Sequence, residues 1–261
     1  MKKIKIDLLT VSVALFGLFI FMMSGCAKQE ASEAESAKNP PPAASSADAE
    51  IEAAQKIIEK MPDSVLGYNR LAIIYIKRAR ETGDFSLNTN AQTAIDRALE
   101  IEPQNPDAQK LKASLLITFH RFDEALNLGK ELEKKYPQDS FVYGVLADAN
   151  VELGNYTQAI EAAQKMVDLK PGTPSYARVG HLRSLHGDHE GAVEMFKLAA
   201  RTADPLDKEA QSWCLVRLAD EFWKNGKYEQ AEKVYDEALI NFPNYHLAIA
   251  GKGRVRAAQG D

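Results

Sequence analysis

Three histidines, His181, His186 and His189, form the densest group of potential metal ligands in this chain of 261 residues. To hold a transition metal their imidazoles would have to converge, preferably with a carboxylate. The turn signal at Gly187 separates His186 from His189, so packing or surface roles are expected and no metal. His189-Glu190 opens like the H-E-x-x-H helix of a zinc protease, but Val193 stands where the second His belongs. No nucleophile elbow, phosphate-binding loop or dinucleotide glycine fingerprint occurs. Cys214 follows Trp213 with nothing local to lower its pKa, which reads as a packed thiol. No catalysis and no cofactor are expected within these residues. A net charge of −5 argues against nucleic acid, because phosphate binding needs clustered Lys and Arg. Two Cys cannot staple a disulfide fold.

A different chemistry is suggested at Cys26. Lys2, Lys3 and Lys5 precede an uncharged, apolar run from Leu8 to Met23, as in a secretory signal. Met23-Ser24-Gly25-Cys26 resembles a bacterial lipobox, although Met23 replaces the usual Leu. That resemblance implies a lipoprotein signal peptide over 1–25, cleaved to leave Cys26 acylated as the mature N-terminus. An uncleaved signal anchor with an incidental Cys is the alternative. By resemblance to enterobacterial lipoproteins, Ala27 implies the periplasmic face of the outer membrane rather than the inner membrane. Residues 27–50 contain no aromatic residue, Val, Ile or Leu, and include Pro40-Pro41-Pro42. Such a stretch buries too little apolar surface to offset its ordering entropy. Residues 26–50 are therefore read as an acylated Cys and a flexible linker.

From Ile51 onward apolar residues fall at helical spacing between short turns, with no alternating strand pattern, so the class is all-α. Three stretches repeat. Tyr143, Leu146 and Ala147 lead to Gly154-Asn155-Tyr156 and Ala159. Tyr176, Val179 and Gly180 lead to Gly187-Asp188-His189 and Ala192. Leu215, Leu218 and Ala219 lead to Gly226-Lys227-Tyr228 and Ala231. Each unit, of about 34 residues, reads as two helices joined by a turn at the Gly, with small residues where the helices cross. Pro103, Pro137, Pro171 and Pro243 end second helices. Asp63-Ser64, Asp139-Ser140 and Thr173 supply oxygens to cap the next first helix.

This pattern resembles the tetratricopeptide repeat (TPR), which implies a superhelical solenoid of stacked helix pairs. The units are a capping helix at 51–62, repeats at 65–105, 106–139, 140–172, 173–206 and 207–245, and a partial repeat or terminal cap at 246–261. The first repeat needs about seven extra residues around Glu81 to Asn90, placed in its inter-helix turn. The second is degenerate, with Lys112 in the Leu slot and His120 in the Gly slot. The resemblance implies that first helices line a concave face. The candidates there are Asn69, Ile73, Lys110, Ser114, Phe141, Val145, Asp148, Arg178, His181, Trp213, Arg217, Asp220, Trp223 and Arg254. A Lys-Asn-Asn-Lys-Arg carboxylate clamp is missing, since Ile73, Ser114 and Asp148 occupy positions where a clamp Asn could lie. The expectation is a lipid-anchored adaptor in the bacterial envelope that binds other proteins in this groove. The alternatives are the non-catalytic part of a longer envelope enzyme, a glycan or small-ligand binder using Trp213 and Trp223, and a self-associating scaffold. The oligomeric state is left open.

Overall fold

The computed structural model describes residues 46–260; Cys26, the 1–25 signal segment and residues 26–45 of the expected linker lie outside them. Among the described residues there are twelve α-helices and no strand. A leading helix α1 (Ser46–Lys60) is followed by the pairs α2 (Val65–Thr82) and α3 (Leu87–Ile101), then α4 (Pro106–Thr118) and α5 (Phe122–Lys135). Next come α6 (Ser140–Glu152) with α7 (Tyr156–Leu169), α8 (Thr173–Leu185) with α9 (His189–Thr202), and α10 (Lys208–Lys224) with α11 (Tyr228–Asn241). Helix α12 (His246–Gln259) follows.

The helices begin and end for local reasons. Ser64 Oγ accepts from the Gly67 N–H at 3.3 Å, Asn105 Oδ1 from Ala108 at 3.0 Å and Asp139 Oδ1 from Phe141 at 2.9 Å. Each replaces a partner that a helix start lacks. Thr173, expected to cap α8, lies inside it instead, and its hydroxyl bonds the Ala199 carbonyl of α9 at 2.9 Å. The N-cap is Gly172, whose N–H donates to Ser175 Oγ at 3.0 Å. The turn slot between paired helices requires a left-handed backbone. Gly154, Gly187 and Gly226 supply it at φ of 76°, 78° and 69°, and His120 adopts φ 57° in the same slot of the degenerate unit.

Two boundaries differ from the sequence pattern. Ser46–Glu50, assigned to the flexible linker, belong to α1. Ala and Glu are good helix formers, and Asp48 in the first turn suits the positive end of the dipole. The helix is held by Ala54, fully buried, and by Ile57 and Ile58, which lie against Gly67 of α2. The extra residues of the first repeat do not form a long turn either. They extend α2 to 18 residues, because Lys77 to Thr82 continue as helix formers until Gly83 stops them at φ 74°.

Close approach of paired helices follows from small residues. Ala147, Ala159, Ala192, Ala219 and Ala231 are all essentially buried. At Gly180 an added Cβ would stand 3.1 Å from the Phe196 ring of α9. Successive first helices touch one another, α2 with α4, α4 with α6, α6 with α8, α8 with α10 and α10 with α12. The first helices therefore make one continuous row.

Candidate functional site

Along this row the polar candidates are tied to one another. Lys110 of α4 donates to Asp139, the cap of α6, at 2.9 Å and pairs with Asp107 at 3.0 Å. Burial opposes its charge, but both carboxylates outweigh that and hold its pKa above the ordinary 10.5. Arg178 of α8 grips Asp148 of α6 with two bonds, Nε to Oδ1 at 2.8 Å and Nη2 to Oδ2 at 2.6 Å. Its Nε also reaches the Gly144 carbonyl at 3.3 Å. A guanidinium held this way is fixed in direction as well as charge.

The densest cluster joins α10 and α12. Asp220 is 8% exposed, and three donors converge on it. Oδ1 accepts from the Tyr235 hydroxyl at 2.5 Å and from Arg254 at 2.6 Å; Oδ2 pairs with Arg217 at 3.0 Å. Burial and the Asp220 carboxylate push the Tyr235 phenol well above its usual range. Arg217 stacks over Trp213 and Arg254 over Trp223, each guanidinium 5.5 Å from the ring centre. Two cations thus share one carboxylate, and each lies over one indole. The arrangement has the parts of a recognition surface: flat apolar area, fixed donors and a surplus positive charge. Phe141 and Ile73 add exposed apolar area further along the row, at 41% and 52% exposure. Ser114 is half-buried on α4.

Two candidates face neighbouring helices instead. Val145 is buried and lies against Gly129 of α5. Asn69 is buried, and its Nδ2 donates at 3.0 Å to Asn105 Oδ1, the cap of α4. The three histidines take separate partners. His186 Nδ1 is 2.8 Å from the Leu182 carbonyl, and its ring meets Tyr156 edge-on. His189 Nδ1 lies 3.2 Å from Glu221. His181 is open to water on the row; crowding by neighbouring helices, and then Lys224, lower its pKa. Cys214 is fully buried, and burial pushes its thiol up to about 12, which leaves no thiolate near neutral pH.

Several residues in these networks carry no signal in the repeat pattern. Glu221, 1% exposed, bonds Ser184 of α8 at 2.6 Å, Lys224 at 2.6 Å and His189 of α9. Burial opposes its charge, yet these three donors outweigh it and hold the carboxyl below its ordinary value. Glu209, 2% exposed, accepts from the Tyr245 hydroxyl at 2.9 Å and from Arg80 at 3.1 Å. The spacing of four between Glu209, Trp213 and Arg217 could have placed Glu209 on the same stripe.

Comparison with known proteins agrees with this architecture. The tetratricopeptide repeat model matches residues 76–140, 121–174 and 216–261. The chain is 24% identical over 120 residues to the Hsp70-Hsp90 organizing protein of Triticum aestivum, a match that covers 46% of this chain and 20% of that protein. The chain thus spans about one fifth of that curated relative. The fold resembles a thermophilic TPR protein of Thermus thermophilus, with a TM-score of 0.62 and 22% identity over 75% of this chain and 99% of the other. It also resembles the Cut9-Hcn1 hetero-tetramer of the APC/C, with a TM-score of 0.65 and 15% identity over 82% of this chain and 40% of the other.

Proposed function

Because this chain belongs to the tetratricopeptide repeat family, we propose that it is a protein-binding scaffold that recognises partners on the row of first helices. One observation carries the reading: Trp213, Arg217, Asp220, Arg254 and Trp223 form a single aromatic and cationic cluster on α10 and α12. Trp and Arg are the residues that most often anchor interfaces. Their mutual pairing fixes them before a partner arrives, which reduces the rotamer entropy lost on binding. Fixed display of this kind needs no catalytic step.

The scaffold works in a bacterial cell envelope, tethered through lipid on Cys26 at the periplasmic face of the outer membrane. What supports this is the basic start, the apolar run and the Ser24-Gly25-Cys26 sequence. More than one acyl chain is needed for a firm hold, since each buried CH₂ contributes about 0.8 kcal/mol.

The test is a cross-linked capture from cell envelopes with the full chain as bait. Parent protein is compared with Trp223→Ala combined with Arg254→Ala, and separately with Phe141→Ala. Circular dichroism establishes that the variants stay folded. A protein captured by the parent and lost from either folded variant supports the reading; identical capture by all three sinks it. Labelled palmitate should be incorporated by the parent and not by Cys26→Ser, and equal labelling would remove the tether from the proposal.

A further inference from the structure

Helix α2 is one of two long helices in the row. It has 18 residues and α10, which it meets, has 17, where α4, α6 and α8 have 13 each. At about 1.5 Å per residue, five more residues carry its tip roughly 7 Å further. The added length bears Arg80, whose Nε donates to Glu209 Oε2 at 3.1 Å across 129 positions of sequence. The other oxygen of Glu209 accepts from Tyr245 at the entrance to α12. Beyond the tip, Gly83 lies against the His246 ring, so that an added Cβ would stand 3.3 Å from it. Phe85 meets the same ring edge-on, with centroids 6.5 Å apart. In a linear stack each unit touches only its neighbours. Here the first unit touches α10 of the fifth and the start of α12.

Position matters as much as contact. Glu209 precedes Trp213 by four residues and Arg217 by eight, so all three share one stripe of α10. The tip of α2 therefore sits at the head of the stripe that carries the proposed recognition cluster.

We propose that the lengthened α2 is an intramolecular latch that closes the repeat array on itself and covers the head of the α10 stripe. Its parts suit a contact that opens and recloses. The Arg80 side chain is 51% exposed and Phe85 is 64% exposed, so each leaves with little rearrangement of the core. The ion pair has one partner in water and so weakens with salt. What the closure regulates rests on the scaffold reading; whether the closure exists does not.

The test is hydrogen exchange of the full chain without any partner, comparing parent with Arg80→Ala, Phe85→Ala and Arg80→Lys. Both alanine substitutions fall at exposed positions, and far-UV circular dichroism checks their folding. Opening the latch should speed exchange by on the order of tenfold at the hydrogen-bonded amides of residues 210–212 and 248–249, far in sequence from either substitution. Arg80→Lys keeps the charge and should stay near the parent. Changes confined to α1 through α4, with the distant segments exchanging as in the parent, would overturn the proposal. The readout involves no ligand, so its failure leaves the capture experiment standing, and the reverse also holds.

Discussion

Two guanidinium groups and a phenol converge on Asp220, and the carboxylate charge is what makes that convergence favourable. Asp220→Asn keeps the shape and removes the charge. Breaking a buried pair outright costs more, but Arg254 and Arg217 are partly in water, so the expected loss is about 1–3 kcal/mol. Urea unfolding measures it, and a stability equal to the parent would mean the cluster is ornamental. The Tyr235 phenol should also titrate lower in that variant, because Asp220 is one cause of its elevation. His181 provides a second check at this scale. Its folded-state pKa lies below the ordinary 6.5, so the fold favours the neutral ring. The stabilisation is complete above pH 6.5 and is lost as pH falls through the folded-state value. Ring-proton NMR should find the His181 midpoint below 6.5, and Lys224→Gln should raise it part of the way. A parental midpoint at or above 6.5 contradicts this.

At the scale of elements, the turn between paired helices shows what one backbone angle controls. Gly154→Ala places a side chain at φ 76° and should cost about 1 kcal/mol. His120→Gly relieves the same strain at φ 57°, but forfeits an edge-on contact with Phe122 at 5.4 Å. An aromatic pair contributes roughly 0.5–1.5 kcal/mol, so the two effects nearly cancel and the melting temperature should hardly move. Calorimetry of both variants tests the contrast. These turns were legible because glycine is the residue that tolerates the angle, and the spacing of Gly154, Gly187 and Gly226 displayed it. The first repeat was not read as well. The repeat spacing places its extra residues in the turn, whereas Lys77, Arg78, Ala79, Arg80 and Glu81 are good helix formers that continue α2 until Gly83 ends it. Thr173 misled for a related reason. A hydroxyl before a helix looks like a cap, whereas here the Ala199 carbonyl of the next helix claims it.

For the whole molecule, neighbour-to-neighbour packing was readable and long-range packing was not. A repeat pattern encodes which faces stack, so Val145 and Asn69 could be put on first helices; it does not say which positions face solvent. Nothing periodic marks Glu209 as the partner of a residue 129 positions away. Closure should nevertheless be visible in cooperativity. Both tryptophans lie on α10, so their fluorescence reports the far end of the array while circular dichroism reports all helices. The two urea curves should coincide in the parent and separate in Arg80→Ala, with fluorescence changing first. Coincident curves in the variant count against coupling of the ends. The same contact bears on ancestry. Tandem arrays change length readily when misaligned recombination duplicates or drops a unit. In this chain, gaining or losing a unit between α3 and α10 would carry Arg80 away from Glu209 and Phe85 away from His246, so the array could no longer close. Descendants of this gene should therefore vary in surface and tail before they vary in the number of units between those two residues.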